Sequence, residues 1–326
     1  MNNFKIEERK LGRSGIVVRY IGIGLWGIGG DMWGKTDDNE SLEAIEKALE
    51  LGINFFDTSD VYGNGHSEEL LGKAMKGRRD RFIVATKIGW KNFDGDKKVS
   101  AYDTVDKLIK GVEENLKRLN TDYIDIIQNH INFREPNMEI FLEGFQKLEK
   151  QGKVRAYGVS TSDFEYLKEF NKDEKCATLQ IDYSILNRTA EKDIFPYCIE
   201  HNIGVIVRGA LAMGILTGKF TKDTQFGEGD FRQNWQKNPE EREIFYKDLE
   251  TVEKLKPLAK NKTLAELAIQ FVLSHPAVSV VIPGAKNKKQ VEMNLKAAYL
   301  PPLTKEELEQ INSIVPPGGG RKIWPA

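Results

Sequence analysis

The chain has 326 residues and nearly balanced charge, with 48 Lys and Arg against 49 Asp and Glu and a net charge of −1. Hydrophobic residues make up 40% of the chain and the mean hydropathy is −0.47, so we expect a soluble protein with a sizeable core. The balanced charge argues against a nucleic-acid partner, and the apolar runs are strand-sized, too short for a membrane span.

Cysteine usage and the first residues bear on the cellular compartment. The two cysteines, Cys176 and Cys198, are too few for a disulfide framework in a chain of this size. Neither is spaced from a second cysteine or a histidine as zinc ligands are, so we expect no metal site. Residues 1–10 lack the apolar segment of a secretion signal, and we expect a cytoplasmic protein.

Strands and helices are predicted to alternate along the chain. A hairpin is predicted over 1–20, with its turn at 11–15. Eight continuous apolar runs follow it, and such runs are typical of strands buried on both faces of a parallel sheet. They span 21–25, 53–57, 82–87, 123–130, 154–160, 177–182, 204–208 and 278–283.

Helix boundaries can be read between these runs. Gly52 ends an apolar stripe that begins at Leu42, and Ser100 with Asp103 precedes another. Capping-box spacing occurs twice, in Thr263 with Glu266 and in Thr304 with Glu307. The pattern predicts an α/β protein, a (β/α)₈ TIM barrel in one domain over 1–326, with an N-terminal hairpin and a C-terminal helix plus tail. An open doubly wound sheet is the alternative.

The glycines of 22–27 (GIGLWG) match the G-x-G-x-x-G pattern of dinucleotide-binding folds. In those folds the pattern opens directly into a helix. Here a loop follows it through Lys35, and helical spacing begins only near Ser41. We therefore predict that this segment is not a dinucleotide fingerprint.

Polar residues stand at the ends of six predicted strands: Asp57, Lys87, His130, Ser160, Gln180 and Arg208. In a (β/α)₈ barrel these ends surround one mouth, where barrel enzymes hold their active sites. Neighbouring strands lie about 4.8 Å apart, so the first three can converge, and Tyr62 can fold back over them. Each has an ordinary structural interpretation taken singly, but their shared position on one rim favours a site.

These four side chains suit the protonation of a carbonyl oxygen. A phenol has a pKa of about 10, so Tyr62 holds a proton that it can donate if a cation stabilises the phenolate. Lys87 is suited to be that cation, held by Asp57, and a neutral His130 can orient the carbonyl. The hydride must come from a cofactor, because no side chain supplies one.

A cofactor site is predicted on the same rim. Barrels often bind phosphate at the loops after strands seven and eight, here 209–219 and 283–290. The second loop opens a helix and carries Lys286, Lys288 and Lys289, a combination that favours an anion. A solvated lysine run is the alternative interpretation.

Ordered segments over about 11–300 strongly resemble the bacterial aldo-keto reductases. They are 54–63 (NFFDTSDVYG) with Ser67 and Glu68, 84–87 (VATK), 123–130 (YIDIIQNH), 158–160 (GVS), 179–180 (LQ), 216–219 (LTGK) and 282–285 (IPGA). The resemblance implies an NAD(P)H-dependent reductase of aldehydes and ketones on a (β/α)₈ barrel. It implies a catalytic tetrad of Asp57, Tyr62, Lys87 and His130, with Tyr62 as general acid.

The resemblance also implies residues that hold the cofactor. They are Trp26, Asp57, Ser160, Gln180, Arg208, Gly209, Leu211, Gly214, Lys219, Gly284, Lys286, Gln290 and Asn294. The chain departs from the family pattern at Thr161, often Asn, at Arg208, where a tyrosine commonly stacks, at Gln290, often Arg, and at Met293, often Glu. Lys286 can still reach a 2′-phosphate, so NADP(H) is favoured, with NAD(H) open.

Three tryptophans are candidates for binding a small carbonyl substrate, because Trp26, Trp33 and Trp90 follow the first and third strands. Two other functions stay open. A strand-end lysine is also what a Schiff-base lyase needs, with Lys87 as nucleophile. Some relatives of the family are nucleotide-sensing regulatory subunits, which bind cofactor chiefly to report redox state. The sequence does not indicate an oligomeric state.

Overall fold

The computed structural model describes residues 6–89, 102–130 and 137–323. The predicted hairpin is present as β1 (Glu8–Lys10) and β2 (Val17–Arg19), which pair antiparallel with Glu8 opposite Arg19. A single 3₁₀ turn, Gly12–Ser14, connects them. Trp90 lies outside the described residues.

Eight parallel strands follow, and each coincides with one of the eight predicted runs. They are β3 (Ile23–Gly24), β4 (Phe55–Asp57), β5 (Ile83–Ile88), β6 (Ile124–His130), β7 (Val154–Ser160), β8 (Thr178–Asp182), β9 (Gly204–Arg208) and β10 (Val278–Val281). Neighbours in sequence are neighbours in the sheet. Parallel bridges from Ile21 to Val281 and from Gly24 to Gly284 join the first strand to the last. The sheet is therefore a barrel, which confirms that fold class over the open sheet.

Helices surround the barrel. They are α1 (Asp38–Glu50), α2 (His66–Met75), α3 (Val105–Leu119), α4 (Met138–Lys150), α5 (Phe164–Phe170), α6 (Ile194–Glu200), α7 (Asn234–Lys237), α8 (Pro239–Leu255), α9 (Leu264–Ser274), α10 (Lys288–Lys296) and α11 (Lys305–Ile314). None of those in the described part of the chain is long and apolar enough to cross a membrane.

The sequence signals at the helix starts are largely confirmed. Thr263 and Thr304 both form complete capping boxes, at the starts of α9 and α11. At the start of α3 the N-cap is Thr104 and not Asp103, because the Thr104 hydroxyl accepts from the backbone N–H of Lys107. Asp103 instead pairs with the side chain of Lys107 on the surface. Ser100 lies outside the described residues. Helical spacing begins at Asp38, after a loop and a 3₁₀ turn, so the glycines of 22–27 do not open a helix.

Two apolar layers hold the fold together. The larger lies between the strands and the helices. The smaller fills the inside of the barrel, where Leu11, Ile16 and Val18 of the hairpin pack against inward-facing strand residues. Gly12 makes this closure possible, because its φ is +52° and a Cβ there would lie 2.1 Å from the backbone nitrogen of Gly204. The hairpin thus closes the amino-terminal end of the barrel.

The carboxyl-terminal end carries longer segments. The loop after β3 meets the loop after β9, with a bridge from Trp33 to Asp230 and a hydrogen bond of 2.8 Å from the Phe231 N–H to the Met32 carbonyl. The C-terminal tail runs beside the mouth, where the backbone N–H of Ile323 donates to Asp182 at 3.1 Å. These segments surround the carboxyl ends of the strands, and we expect the site to lie there.

Candidate active site

The buried side chains of Asp57, Lys87 and Tyr62 meet at the ends of the strands, and Lys87 lies between the other two. Its Nζ donates to Asp57 Oδ1 at 2.6 Å, to the Thr58 carbonyl at 2.8 Å and to Tyr62 Oη at 3.1 Å. Lys87 and Asp57 stand on neighbouring strands, and the loop after β4 turns back so that Tyr62 covers them. The predicted convergence of Asp57, Tyr62 and Lys87 is therefore present in the structure.

Asp57 has a second partner that the sequence did not predict. Its other carboxylate oxygen, Oδ2, accepts from Gln180 Nε2 at 2.7 Å across the barrel. Burial raises the pKa of Asp57, while the Lys87 ammonium and the Gln180 amide oppose that rise. Gln180 therefore helps to keep this carboxyl group in place, in addition to facing the cavity where a cofactor amide is predicted.

The charges in this cluster stabilise one another. Burial lowers the pKa of Lys87, but Asp57 and Tyr62 outweigh it, so the pKa lies above its usual value and the amine is an ammonium. Burial raises the pKa of Tyr62, and the Lys87 ammonium is the largest influence that opposes this. The phenol therefore keeps its proton at neutral pH, and the ammonium beside it stabilises the phenolate that would form on donation.

His130, at the end of β6, completes the predicted tetrad. Its ring lies edge-on to Tyr62, with centroids 6.1 Å apart, and its Nδ1 is 3.1 Å from the hydroxyl of Ser59. Burial lowers the pKa of His130 well below its usual value, and the Lys87 and Arg208 cations lower it further. The imidazole is therefore neutral, as orientation of a carbonyl requires.

Aromatic rings form a wall beside Tyr62. The indole of Trp26 stacks on Tyr62 at 5.8 Å between centroids, and Phe231 stacks on Trp26 at 6.1 Å. Trp33 meets Trp26 edge-on at 5.2 Å. The structure thus places two of the three candidate substrate tryptophans at the mouth.

A cavity of about 630 Å³ extends from this cluster along the rim. Tyr62, Asp57, His130 and Trp33 line this cavity. Lys87 is fully buried beneath the first two of them. The structure brings all of the predicted cofactor residues to its wall: Trp26, Asp57, Ser160, Gln180, Arg208, Gly209, Leu211, Gly214, Lys219, Gly284, Lys286, Gln290 and Asn294. Sequence positions more than 250 residues apart therefore share one surface.

The loop after β10 forms the far end of the cavity. The Lys286 ammonium reaches across to donate to the Trp33 carbonyl, and Gln290 Oε1 accepts from the Lys286 backbone at 2.7 Å. Burial lowers the pKa of Lys286. One part of the predicted lysine cluster is wrong, because Lys288 pairs with Glu43 of α1 at 2.9 Å and does not line the cavity, whereas Lys289 does.

The electrostatics of the cavity fit an extended anion such as a dinucleotide. Of the described residues that line it, five are basic and one, Asp57, is acidic. The Nη2 atom of Arg208 is buried and has no hydrogen-bond partner among the described residues. A buried nitrogen donor without a partner is costly, so this atom marks a place for a polar ligand. The residues present therefore fit a nicotinamide dinucleotide.

Arg232 was missed by the sequence analysis. Its guanidinium binds both oxygens of Asp230, at 2.9 and 2.6 Å, and donates to the Met213 carbonyl at 3.1 Å. It also lies 5.0 Å from the Trp33 ring centroid. Arg232 therefore ties the long loop after β9 to the loop after β3. The only sequence signal for it was the unusual length of that loop.

The fold is a (β/α)₈ barrel, and its site places a phenol beside an ammonium at one end of a basic cavity. The model of the aldo/keto reductase family matches residues 20–316. The aldo-keto reductase YhdN of Bacillus subtilis is 35% identical over 317 residues, covering 95% of this chain and 94% of that protein. The chain belongs to the aldo/keto reductase family, and it is an NAD(P)H-dependent oxidoreductase acting on carbonyls or alcohols.

Solved structures agree with this assignment. The glycerol dehydrogenase AKR11B4 of Gluconobacter oxydans has a TM-score of 0.81 at 33% identity, covering 98% of this chain and 98% of that chain. An aldo/keto reductase of Klebsiella pneumoniae in complex with NADP and acetate has a TM-score of 0.71 at 26% identity, covering 96% of each chain.

Proposed function

We propose that the protein reduces aldehydes or ketones to alcohols with NADPH, and that Tyr62 is the general acid. The observation that carries the proposal is the 3.1 Å contact between Lys87 Nζ and Tyr62 Oη, with Asp57 on the other side of the ammonium. An ammonium in contact with a phenol stabilises the phenolate, and this makes the phenol a better proton donor.

Each side chain has a separate role at the substrate carbonyl. Tyr62 donates its proton to the carbonyl oxygen, Lys87 stabilises the remaining phenolate, and Asp57 with Gln180 holds the ammonium in place. His130 meets the same oxygen from the neighbouring strand and fixes its orientation. The stacked rings of Trp26 and Phe231 cover one side of Tyr62.

Nicotinamide, when bound, supplies the hydride. Ser160 and Gln180 would hold its amide, and the loops 209–219 and 283–294 would hold the phosphates and the adenosine. Lys286 is the residue we assign to the 2′-phosphate of NADP(H), and the Klebsiella relative in complex with NADP supports NADP(H) as the cofactor. Gln290 carries no charge, so NAD(H) remains the alternative cofactor.

The geometry disfavours a Schiff-base lyase. A lysine nucleophile must be an unprotonated amine. Lys87 donates hydrogen bonds to three partners, and its pKa lies above the usual value. A nucleotide-sensing subunit would need the cavity but not the complete tetrad, so the tetrad favours an enzyme.

The test is the initial rate of cofactor oxidation with NADPH and with NADH across a panel of small aldehydes and ketones. We expect carbonyl-dependent oxidation, faster with NADPH. Tight NADPH binding without turnover of any carbonyl would favour the sensing function instead. Turnover of a substrate without NADPH, together with borohydride trapping of its carbon on Lys87, would establish the lyase.

A further inference from the structure

The first turn of α2 lies against the loop that carries Tyr62, and Ser67 makes the contact. The Ser67 hydroxyl donates to the Leu25 carbonyl at 3.0 Å and is 2.8 Å from Thr58 Oγ1. The backbone N–H of Ser67 donates to the Tyr62 carbonyl at 3.2 Å. Ser67 therefore bonds three separate parts of the chain, which are the segment that leads to Trp26, the start of the loop after β4, and Tyr62.

The direction of these hydrogen bonds follows from the number of protons. A hydroxyl has one proton to donate, and a carbonyl can only accept. Ser67 therefore donates to Leu25, and Thr58 Oγ1 must donate to Ser67 Oγ. Both side chains are fully buried, so water does not replace a partner that is lost. Removing the Ser67 hydroxyl thus removes the acceptor that holds the Thr58 hydroxyl.

These bonds hold two of the groups that contact Lys87. The Thr58 carbonyl accepts from Lys87 Nζ at 2.8 Å, and Tyr62 Oη lies 3.1 Å from the same nitrogen. Ser67 bonds Thr58 through its side chain and Tyr62 through its backbone. A turn closes the residues between them, since the Tyr62 N–H donates to the Ser59 carbonyl at 3.2 Å. The loop is therefore fixed at both ends relative to the ammonium.

Ser67 is itself held in place through the next residue of α2. The Glu68 carboxylate accepts from Thr86 Oγ1 at 2.6 Å and from Arg118 Nε at 2.7 Å. Thr86 precedes Lys87 on β5, and Arg118 belongs to α3. The first turn of α2 is therefore fixed to the strand that carries the ammonium, and it supports the loop from a constant position.

We propose that Ser67 and Thr58 are positioning residues that hold the Tyr62 hydroxyl against the Lys87 ammonium. The stabilisation of a phenolate by a neighbouring ammonium falls as the two atoms separate. Loosening the loop therefore weakens the proton donor without removing it. The inference rests on the proposed role of Tyr62 as general acid, and it adds two residues that do not line the cavity.

The first test is Ser67→Ala. The value of kcat for carbonyl reduction should fall roughly 10- to 100-fold, as expected for a small misplacement of a catalytic group. KM for the carbonyl and the dissociation constant of NADPH should stay nearly unchanged. Ser184→Ala is the matched control, because it removes another fully buried serine hydroxyl, which accepts from the Asn187 backbone N–H at 3.2 Å. That variant should keep the wild-type kcat.

Variants of Thr58 test the other side of the hydrogen bond. Thr58→Val keeps the shape of the side chain and removes the donor, whereas Thr58→Ser keeps the hydroxyl and loses a methyl group. Both variants retain the backbone carbonyl that accepts from Lys87. We expect Thr58→Val to lower kcat nearly as much as Ser67→Ala, and Thr58→Ser to lower it clearly less. A larger loss in Thr58→Ser than in Thr58→Val would overturn the proposal, because packing would then decide the rate.

A double-mutant cycle with Tyr62→Phe separates positioning from a general loss of structure. If Ser67 acts through the Tyr62 hydroxyl, Ser67→Ala should have little further effect on the residual single-turnover rate of Tyr62→Phe. The same fold loss in both backgrounds, or a wild-type kcat in Ser67→Ala, would overturn the proposal. Failure of the proposed function would appear differently, as wild-type turnover in Tyr62→Phe alone, and it would overturn both.

Discussion

The two ends of the barrel use the same strands for opposite purposes. In β4, Phe55 packs in the apolar interior, and Asp57, two residues on and facing the same way, bonds Lys87. In β5, Ala85 and Lys87 repeat this pair. Because side chains alternate along a strand, each inward row changes from apolar to polar as it reaches the carboxyl end.

The two ends of the barrel therefore differ in what a substitution there should change. The amino-terminal end is closed by the hairpin residues Leu11, Ile16 and Val18, which belong to the apolar cluster inside the barrel. The carboxyl-terminal end holds the contacts of Lys87 with Asp57 and Tyr62, and the buried Nη2 of Arg208, which has no partner among the described residues. Changes at the first end should therefore alter the free energy of unfolding, and changes at the second should alter rates and ligand affinity.

The largest expected effect is at the carboxyl end. Tyr62→Phe keeps the ring that stacks on Trp26 and removes the proton donor, so carbonyl reduction should fall by about 10²- to 10⁴-fold. NADPH affinity, measured by fluorescence titration, should change little. Tyr183→Phe is the control, since its hydroxyl bonds Glu191 away from the cavity. Unchanged turnover in Tyr62→Phe would refute the acid assignment.

The next effect is at the amino end and concerns stability. Leu11→Ala removes a fully buried side chain inside the barrel and should cost about 2–5 kcal/mol of the free energy of unfolding. Denaturant titration measures this cost. The rate per folded molecule should be unaltered. Val17→Ala, at an exposed position of the same hairpin, should stay within about 0.5 kcal/mol. Equal losses in the two variants would contradict the role of the hairpin.

The smallest effect distinguishes the two cofactors. Lys286→Ala should weaken NADPH binding by about tenfold, as expected for a lost charged hydrogen bond, and weaken NADH binding less. Dissociation constants for both nucleotides measure this. Lys288→Ala is a matched control, because that ammonium pairs with Glu43 and does not line the cavity. An equal loss of affinity for NADPH and NADH in Lys286→Ala would contradict the assignment of Lys286 to the 2′-phosphate.

The fold could be predicted from the sequence because buried parallel strands leave continuous apolar runs. Polar residues at the ends of six of the eight runs indicated where the site lies. The convergence of Asp57, Lys87 and Tyr62 followed from the order of the strands. The Gln180–Asp57 contact could not be predicted, because it spans the barrel and depends on how the strands are staggered. The Ser59–His130 contact depends on how one loop folds back.

Other misses have equally local causes. Asp103 and Thr104 both suit a helix start, and only backbone geometry selects Thr104 as the cap of α3. Lys288 and Lys289 are neighbours on a helix and therefore point in different directions, so only one of them lines the cavity. Sequence patterns fix which residues share a strand or helix, but contacts between loops depend on their conformation.

The central claim is that the Lys87 ammonium makes Tyr62 a proton donor. The most direct measurement is a single-turnover reduction of one aldehyde by the NADPH-loaded Lys87→Met variant, which keeps the side-chain length and removes the charge. We predict a rate at least about 10²-fold below the wild type, with the dissociation constant of NADPH nearly unchanged. A wild-type rate in this variant would contradict the account.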